Sequence, residues 1–283
     1  MAAKAYYELL LPLAGFDADL LSGFLHRAGC LGIQESEEGR WTVYLPGNWS
    51  SEHIRNLLRG LQRLAPGFDP DAAQFEKLPY RDWNAEWRKH FEPFEAAKNC
   101  WIRPPWQALP EGSAGVEIII DPQMAFGTGH HETTRLMLQS MPQLNLQGKT
   151  VLDLGTGSGI LAIYAAKLGA RQVAAIDNDP EAIANAEHNA ALNRADDIAF
   201  RVGDITLVEG RSFDAILANI QFNVLADLAL QFYHNLAPGG KLLVSGILKE
   251  EVSRLSYLYK HAGLLEAERF YMKEWAAMLW ENR

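Results

Sequence analysis

The chain has 283 residues, of which 48% are hydrophobic and 22% charged, a balance typical of a globular protein with one large or two smaller domains. Its net charge of -9 argues against broad, sequence-independent binding of nucleic acid, which requires a basic surface. Two cysteines outside any CxxC pair argue against a structural zinc site, and no apolar run is long enough to span a bilayer. We therefore expect a cytoplasmic protein with no membrane partner.

The first 78 residues alternate between short strands and amphipathic helices. AYYELLLPL is typical of a strand, and DADLLSGFLHRAG has helical spacing that ends at a glycine. GIQESEE and RWTVYLP predict a hairpin, SSEHIRNLLRGLQRL a second helix and AAQFEKLP a last strand. The order β-α-β-β-α-β predicts a small ferredoxin-like α+β domain over residues 1–78, a fold that by itself indicates no function.

Residues 79–114 have a different character. YRDWNAEWRKHFEPF predicts a connecting helix anchored by the aromatic residues Trp83, Trp87 and Phe91. The stretch that follows is interrupted by three prolines, which favours an extended segment. We interpret residues 79–114 as a packed linker between two domains.

From residue 115 to residue 283, strands and helices alternate. The strands GVEIIID, KTVLDLG, RQVAAID, IAFRVGD, FDAILANI and KLLVSGI are nearly continuous in apolar residues, and helical patterns lie between them. VLADLALQFYHNLAPGG predicts one of these helices, and the last 20 residues predict a hairpin. Strands of this kind are buried on both faces, so the pattern predicts a doubly wound, mostly parallel sheet.

The stretch VLDLGTGSGILAIYAAKLGA places a glycine-rich turn between a buried strand and a helix. Gly155, Gly157 and Gly159 permit a tight turn and close approach of a ligand to the backbone. No lysine follows them, which excludes a Walker phosphate loop, and the spacing is not the GxGxxG of dinucleotide sites. Asp153, two residues before the turn, suits a cationic ligand better than a pyrophosphate.

Two more acids follow the next strands. Asp177 ends one strand, where a carboxylate can accept both hydroxyl groups of a ribose, and Asp204 ends the next, in reach of an adenine amino group. The carboxyl ends of parallel strands meet at one edge of a sheet. Together with Asp153 these acids predict a pocket for a positively charged adenosine derivative.

The pattern DxGxGxG, followed by an acid at the end of the next strand, resembles the class I S-adenosylmethionine (SAM) methyltransferases. The resemblance covers residues 115–283 and implies a seven-stranded Rossmann-like domain with SAM as cofactor. It also implies that Asn219, in LANIQFN at the end of the fourth strand, faces the transferred methyl group. An amide oxygen there could accept a hydrogen bond from an amine and orient its lone pair.

The chain further resembles the PrmA family, through DPQMAFGTGHHETTRLML, RDWNAEWRKHFEPF, WIRPPW, VSGILKE and KEWAAMLWENR behind a small N-terminal domain. This resemblance implies SAM-dependent methylation of lysine ε-amino groups and of the N-terminal α-amino group of the eleventh protein of the large ribosomal subunit. It implies that residues 1–78 hold that protein. It places the cofactor contacts at Thr134, Gly155, Asp177 and Asn219, with Phe126, Gly127, Thr128, Gly129 and His131 nearby.

The segment AFGTGHHETTRLML initially permits two other interpretations. His130, His131 and Glu132 could be a metal site, but they lack the i, i+4 spacing that places two ligands on one helix face. Gly127-Thr128-Gly129 could be a phosphate loop, but no lysine accompanies it. We expect no metal, and instead a turn that packs over the methionine end of SAM and enters a helix whose first N–H groups bind the SAM carboxylate. His131 is a candidate proton acceptor or orienting group.

The sequence departs from the family after Asn219, where Gln221 and Phe222 replace an apolar pair and a later proline is absent. That loop borders the amine channel, so substrate choice or the degree of methylation could differ. A lysine methyltransferase for another protein, a nucleic-acid amino methyltransferase and a SAM-binding factor without activity are the alternatives. The acidic charge and the segment NIQF, in place of [ND]PP[YF], argue against the nucleic-acid enzyme. We expect a monomer.

Overall fold

A computed structural model describes residues 6–13, 15–36, 40–70, 73–78, 91–122 and 127–282. The chain divides into two compact units, residues 1–86 and residues 87–283. The predicted helix around Trp83 and Trp87 and the predicted cofactor contact Phe126 lie outside the described residues.

The N-terminal unit is an antiparallel sheet with two helices. Its elements are β1 (Tyr6–Pro12), α1 (Ala18–Ala28), β2 (Gly32–Ser36), β3 (Arg40–Pro46), α2 (Ser51–Leu64) and β4 (Gln74–Leu78). The strand order β2-β3-β1-β4 confirms the ferredoxin-like prediction. Leucines from both helices and from β1 form its core, among them Leu9, Leu21, Leu25 and Leu61, which are all fully buried.

A small three-stranded sheet opens the second unit. It consists of β5 (Phe94–Ala97), β6 (Cys100–Arg103) and β7 (Val116–Ile119), with β6 and β7 parallel. The predicted limits at 78 and 114 would assign β5 and β6 to a linker and β7 to the domain beyond it, whereas the structure pairs β6 with β7. Strands of four residues are too short to show a hydrophobic period, so the sequence carries little sign of this sheet. The domain limits stay a prediction.

The main sheet contains seven strands within the described residues. They are β8 (Thr150–Leu154), β9 (Gln172–Asp177), β10 (Ile198–Val202), β11 (Phe213–Asn219), β12 (Leu236–Leu248), β13 (Leu265–Met272) and β14 (Trp275–Glu281). Their order is β10-β9-β8-β11-β12-β14-β13; the first five are parallel, and β14 is antiparallel to both of its neighbours. The arrangement confirms the predicted seven-stranded Rossmann-like sheet. Its crevice lies at the carboxyl ends of the strands, where β8 meets β11 and the strand order reverses.

Helices cover both faces of this sheet. They are α3 (Glu132–Ser140), α4 (Ile160–Lys167), α5 (Pro180–Leu192), α6 (Phe222–Asp227), α7 (Ala229–Asn235) and α8 (Val252–His261). β8 is apolar throughout because both of its faces are buried. Val151 packs into the hydrophobic core on one face of the sheet, and Leu152 packs into the core on the other face. The single helix predicted over 224–240 is wrong. The chain forms α6 and α7 instead, because Leu228 leaves the helical conformation at ψ 4°, and the residues after 235 belong to β12.

Among the described residues, every helix is too short or too polar to cross a lipid bilayer.

Candidate active site

The glycine-rich turn at 155–159 connects β8 to α4 and lies against the carboxyl end of β9. Gly155 has φ +76°, and a Cβ atom there would lie 2.2 Å from Cγ2 of Ile220. The N–H groups of Gly155 and Thr156 donate to the carbonyl of Ile176, at 2.8 and 3.1 Å. Glycine is therefore required at 155 both by conformation and by space, which leaves backbone exposed to a ligand.

Asp153 lies beneath this turn. Its side chain is fully buried, and its Oδ2 accepts hydrogen bonds from the Thr156 hydroxyl at 2.6 Å and from the Ala162 N–H at 3.1 Å. Burial raises the pKa of Asp153 to about 7, although both hydrogen bonds act in the opposite direction. The Oδ2 atom thus holds the turn and the start of α4, while Oδ1 is buried with no hydrogen-bond partner among the described residues, so the predicted cofactor contact at Asp153 stays a prediction.

Asp177 and Asp204 stand at the ends of neighbouring strands, as predicted from the sequence. Asp177 is half-buried, and its Oδ2 accepts the Gly157 N–H at 2.9 Å while its Oδ1 accepts the Asp179 N–H at 3.1 Å. Asp204 is exposed and accepts hydrogen bonds from the N–H and the hydroxyl of Thr206, which hold the pKa of its carboxyl below the usual range. Both acids are therefore held in fixed orientations at the same crevice.

A cavity of about 620 Å³ lies between these acids and the end of β11. Its walls are mostly apolar, which suits a flat ring, and the acids stand at one side. The lining residues are Leu154, Gly155, Ile176, Asp177, Asn178, Gly203, Asp204, Ile205, Thr206, Ile220, Gln221, Val224, Leu228 and Gln231. The volume falls within the range of roughly 300–1,000 Å³ that is typical of small-molecule sites.

Asn219 ends β11 next to the first turn of α3. Its Nδ2 lies 3.4 Å from the Thr134 hydroxyl, and Thr134 is almost completely buried. Its Oδ1 is buried and has no hydrogen-bond partner among the described residues. A buried acceptor without a partner costs free energy, which is typical of a group whose partner belongs to a ligand.

The turn at 127–129 packs directly against the glycine-rich turn. The Gly127 carbonyl accepts the Ser158 hydroxyl at 2.6 Å. Gly129 has φ +91°, and a Cβ atom there would lie 2.2 Å from Ile102 and 3.3 Å from Ile160. Thr128 between them is half-buried. The two glycine-rich turns, separated by about 30 residues in the chain, thus form adjoining walls of one site.

The three polar residues that follow this turn point to different partners. His131 caps α3: its Nδ1 accepts the Thr133 N–H at 3.3 Å, and its ring meets Trp275 edge to face at 5.0 Å. The His130 ring packs on Phe94 at 4.0 Å, while Glu132 forms an ion pair with Lys273. Within the described ranges no His, Cys, Asp or Glu cluster could hold a metal ion.

Other residues at this site escaped the sequence analysis. Asn189 on α5 donates to the carbonyl of Ser158 in the glycine-rich turn and accepts the Asp121 N–H, while the Ser158 hydroxyl donates to the Gly127 carbonyl. The sign in the sequence that could have indicated Asn189 is the spacing of three asparagines at four-residue intervals in an alanine-rich helix. The apolar residues of α6 and α7 that line the cavity form no sequence motif, so the sequence did not indicate them.

The arrangement fits SAM, the cofactor that the family resemblance implies. The glycine-rich turn offers backbone to the cofactor. The apolar cavity with its two carboxylates suits the adenosine part of SAM, and the buried Asn219 oxygen without a partner suits the methyl end. Asp177 would hold the ribose, the walls between Ile205 and Leu228 the adenine, and the α3 N-terminus the carboxylate.

Comparison with known proteins agrees with this geometry. A sequence model of the family described as Ribosomal protein L11 methyltransferase (PrmA) matches residues 10–283. A ribosomal protein L11 methyltransferase of Porphyromonas gingivalis is 43% identical over 205 residues, 72% of this chain and 70% of that protein. One from Carboxydothermus hydrogenoformans is 36% identical over 250 residues, 87% of this chain and 81% of that protein.

A solved structure is also similar. The crystal structure of a ribosomal protein L11 methylase from Lactobacillus delbrueckii subsp. bulgaricus superposes with a TM-score of 0.64 at 31% identity. The superposition covers 68% of this chain and all of that one. The fold, the site and these relatives together show that the chain belongs to the ribosomal protein L11 methyltransferase (PrmA) family.

Proposed function

We propose that this chain transfers methyl groups from SAM to lysine ε-amino groups and to the N-terminal α-amino group of ribosomal protein L11, in the cytoplasm. The observation that supports an amine as acceptor is the buried Oδ1 of Asn219, which has no partner among the described residues. When bound, SAM supplies an electrophilic methyl group on a sulfonium. The residues of the chain must then deliver a neutral, aligned amine.

Asn219 performs the alignment in this proposal. Its Nδ2 is turned towards the Thr134 hydroxyl, so its Oδ1 is the atom presented to a substrate. When an amine N–H donates to Oδ1, the nitrogen lone pair can be directed at the methyl carbon. In-line displacement at carbon requires this alignment. Exclusion of water by the surrounding buried residues keeps that amine from being solvated.

A lysine must lose a proton first, because its pKa in water is about 10.4. Entry into a site from which water is excluded favours the neutral form. We propose that His131 orients the incoming amine or accepts its proton. Its Nδ1 caps α3, which fixes the orientation of the ring.

The residues that follow Asn219 bear on specificity. Gln221 lies on the cavity wall, while Phe222 is buried with the Arg254 guanidinium 5.0 Å above its ring. Of the two residues that replace the family's apolar pair, only Gln221 therefore lines the cavity. We propose that residues 1–78 hold L11, in line with the family resemblance.

Radiolabelled SAM tests the proposal with three forms of L11: unmodified, N-terminally acetylated and lysine-acetylated. Label should enter the first form, and each acetylation should remove part of it. A matched cell lysate serves as the specificity control. Labelling of a nucleic acid, or of a protein other than L11, would contradict the substrate assignment.

A further inference from the structure

A row of asparagines on α5 lies beside the cofactor site. Asn185 and Asn189 in the helix, and Asn193 at its C-cap, stand four residues apart and therefore face one side. Each is buried. A buried amide is costly unless its donors and acceptor are bonded, so the contacts of this row indicate what it does.

Asn189 binds backbone in two directions. Its Nδ2 donates to the Ser158 carbonyl at 2.9 Å, and its Oδ1 accepts the Asp121 N–H at 2.9 Å. The same Nδ2 donates to Oδ1 of Asn185 at 3.1 Å. A carbonyl on one side and an N–H on the other fix the orientation of the amide. Asn189 therefore joins the glycine-rich turn to the end of the segment that follows β7.

Ser158 completes the connection. Its hydroxyl donates to the Gly127 carbonyl at 2.6 Å. Asp121 and Gly127 flank residues 122–126 in the chain. Gly127 binds Ser158 directly, and Asp121 is connected to Ser158 through Asn189. We call this set, Asp121, Gly127, Ser158 and Asn189, the Ser–Asn clamp.

We infer that the Ser–Asn clamp sets the spacing between the 127–129 turn and the glycine-rich turn, and that Asn189 is a positioning residue for SAM. The two turns are adjoining walls of the site, so a change in their spacing alters the fit of the cofactor between them. The inference depends on SAM as cofactor and not on which amine is methylated.

Asn189→Asp tests the clamp with little change in volume. The carboxylate can still accept the Asp121 N–H, but it cannot donate to the Ser158 carbonyl. We expect the Kd for SAM, measured by titration calorimetry, to rise about tenfold. The KM for L11 should stay unchanged, which a general loss of structure would not produce.

Asn193→Asp is the matched control. Asn193 is also buried on the same face of α5, but its hydrogen bonds go to the backbone of Ile119 and Asn189. This variant should lower the melting temperature and leave the SAM Kd of the folded protein unchanged. If it weakens SAM binding as much as Asn189→Asp does, the clamp has no special role and the inference is wrong.

Ser158→Ala tests the other side of the clamp and remains informative if Asn189→Asp does not fold. It should raise the SAM Kd several-fold, and the double variant should weaken binding by less than the product of the two single effects. Independent effects, or a SAM Kd within twofold of the parent in both single variants, would overturn the inference. Loss of L11 methylation with this binding pattern intact would instead count against the proposed substrate.

Discussion

The two ends of the cofactor site are assembled in different ways. At the adenosine end, each acid accepts a hydrogen bond from a residue two positions away, Thr206 for Asp204 and Asp179 for Asp177. Asp177 also accepts the Gly157 N–H, which lies only 20 residues away in the chain. At the methyl end, the contacts join distant parts of the chain. Asn219 meets Thr134 across 85 residues, and Glu132 meets Lys273 across 141.

This difference predicts how each end responds to change. A local turn forms its hydrogen bonds whenever the adjoining strand is in place, so the adenosine end should tolerate distant substitutions. The methyl end exists only when several elements are docked together. Substitutions there should affect turnover more than binding, while substitutions at the glycine-rich turn should affect both.

Asn219→Ala is the sharpest probe of the methyl end. Loss of the Oδ1 acceptor should reduce kcat about 100-fold, because the amine is no longer aligned. Binding of SAM should change far less, since Asp177 and the glycine-rich turn are untouched. Stopped-time methylation assays and calorimetry measure the two quantities. Near-normal turnover would rule out the alignment role.

Gly155→Ala tests the contact between the glycine-rich turn and the end of β11. The added Cβ would collide with Ile220, the residue after Asn219, so the variant should lose about 3 kcal/mol of stability and bind SAM poorly. Gly148→Ala is the control, because Gly148 has a similar φ of +72° but no described atom within 4 Å of the added Cβ. It should lose only about 1 kcal/mol. Chemical denaturation distinguishes them, and equal losses would show that the contact with Ile220 is irrelevant.

Asp153→Asn probes the support beneath the turn. Because burial raises the folded-state pKa of Asp153 to about 7, above its unfolded value, the carboxyl favours folding at low pH and loses this contribution as the pH rises through 7. The melting temperature of the variant relative to the parent should therefore increase between pH 4 and pH 7 and then level off. A constant difference across this range would show that Asp153 keeps an ordinary pKa in the folded protein.

Lys273→Ala should have the smallest effect. The ion pair with Glu132 joins α3 to the β13–β14 turn, but the Lys273 side chain is 70% exposed, so solvent and salt weaken the pair. We expect turnover to change by less than about twofold. If the variant instead shows a large loss of turnover at low salt that disappears at high salt, the ion pair is needed to position the methyl end.

The same contrast explains what the sequence could predict. The doubly wound parallel sheet, the ferredoxin-like domain and the strand-end acids follow from local patterns, namely apolar strands, helical spacing and glycines after Asp153. The number of seven strands came from the family resemblance. Asn219 and Thr134 were connected only through the family resemblance, since no short pattern links positions so far apart.

Other features were hidden for identifiable reasons. The position of Asp153 before the glycines predicts a cofactor contact, but the sequence does not show that its side chain also binds the Thr156 hydroxyl and the Ala162 N–H. The strands β5 and β6 are too short to show a period. Asn189 resembles any polar residue of a helix until its two backbone partners are seen.

The position of β14 in the sheet bears on when the site can form. β13 pairs only with β14 in the described sheet, so it cannot join before the strand that follows it in the chain. Ser245, the β12 neighbour of Asn219, donates its hydroxyl to the Ala276 carbonyl in β14 at 2.9 Å. Ser245 can make this contact only after β14 has paired with β12. We therefore expect the support of the methyl end to depend on that pairing, which the glycine-rich turn itself does not need.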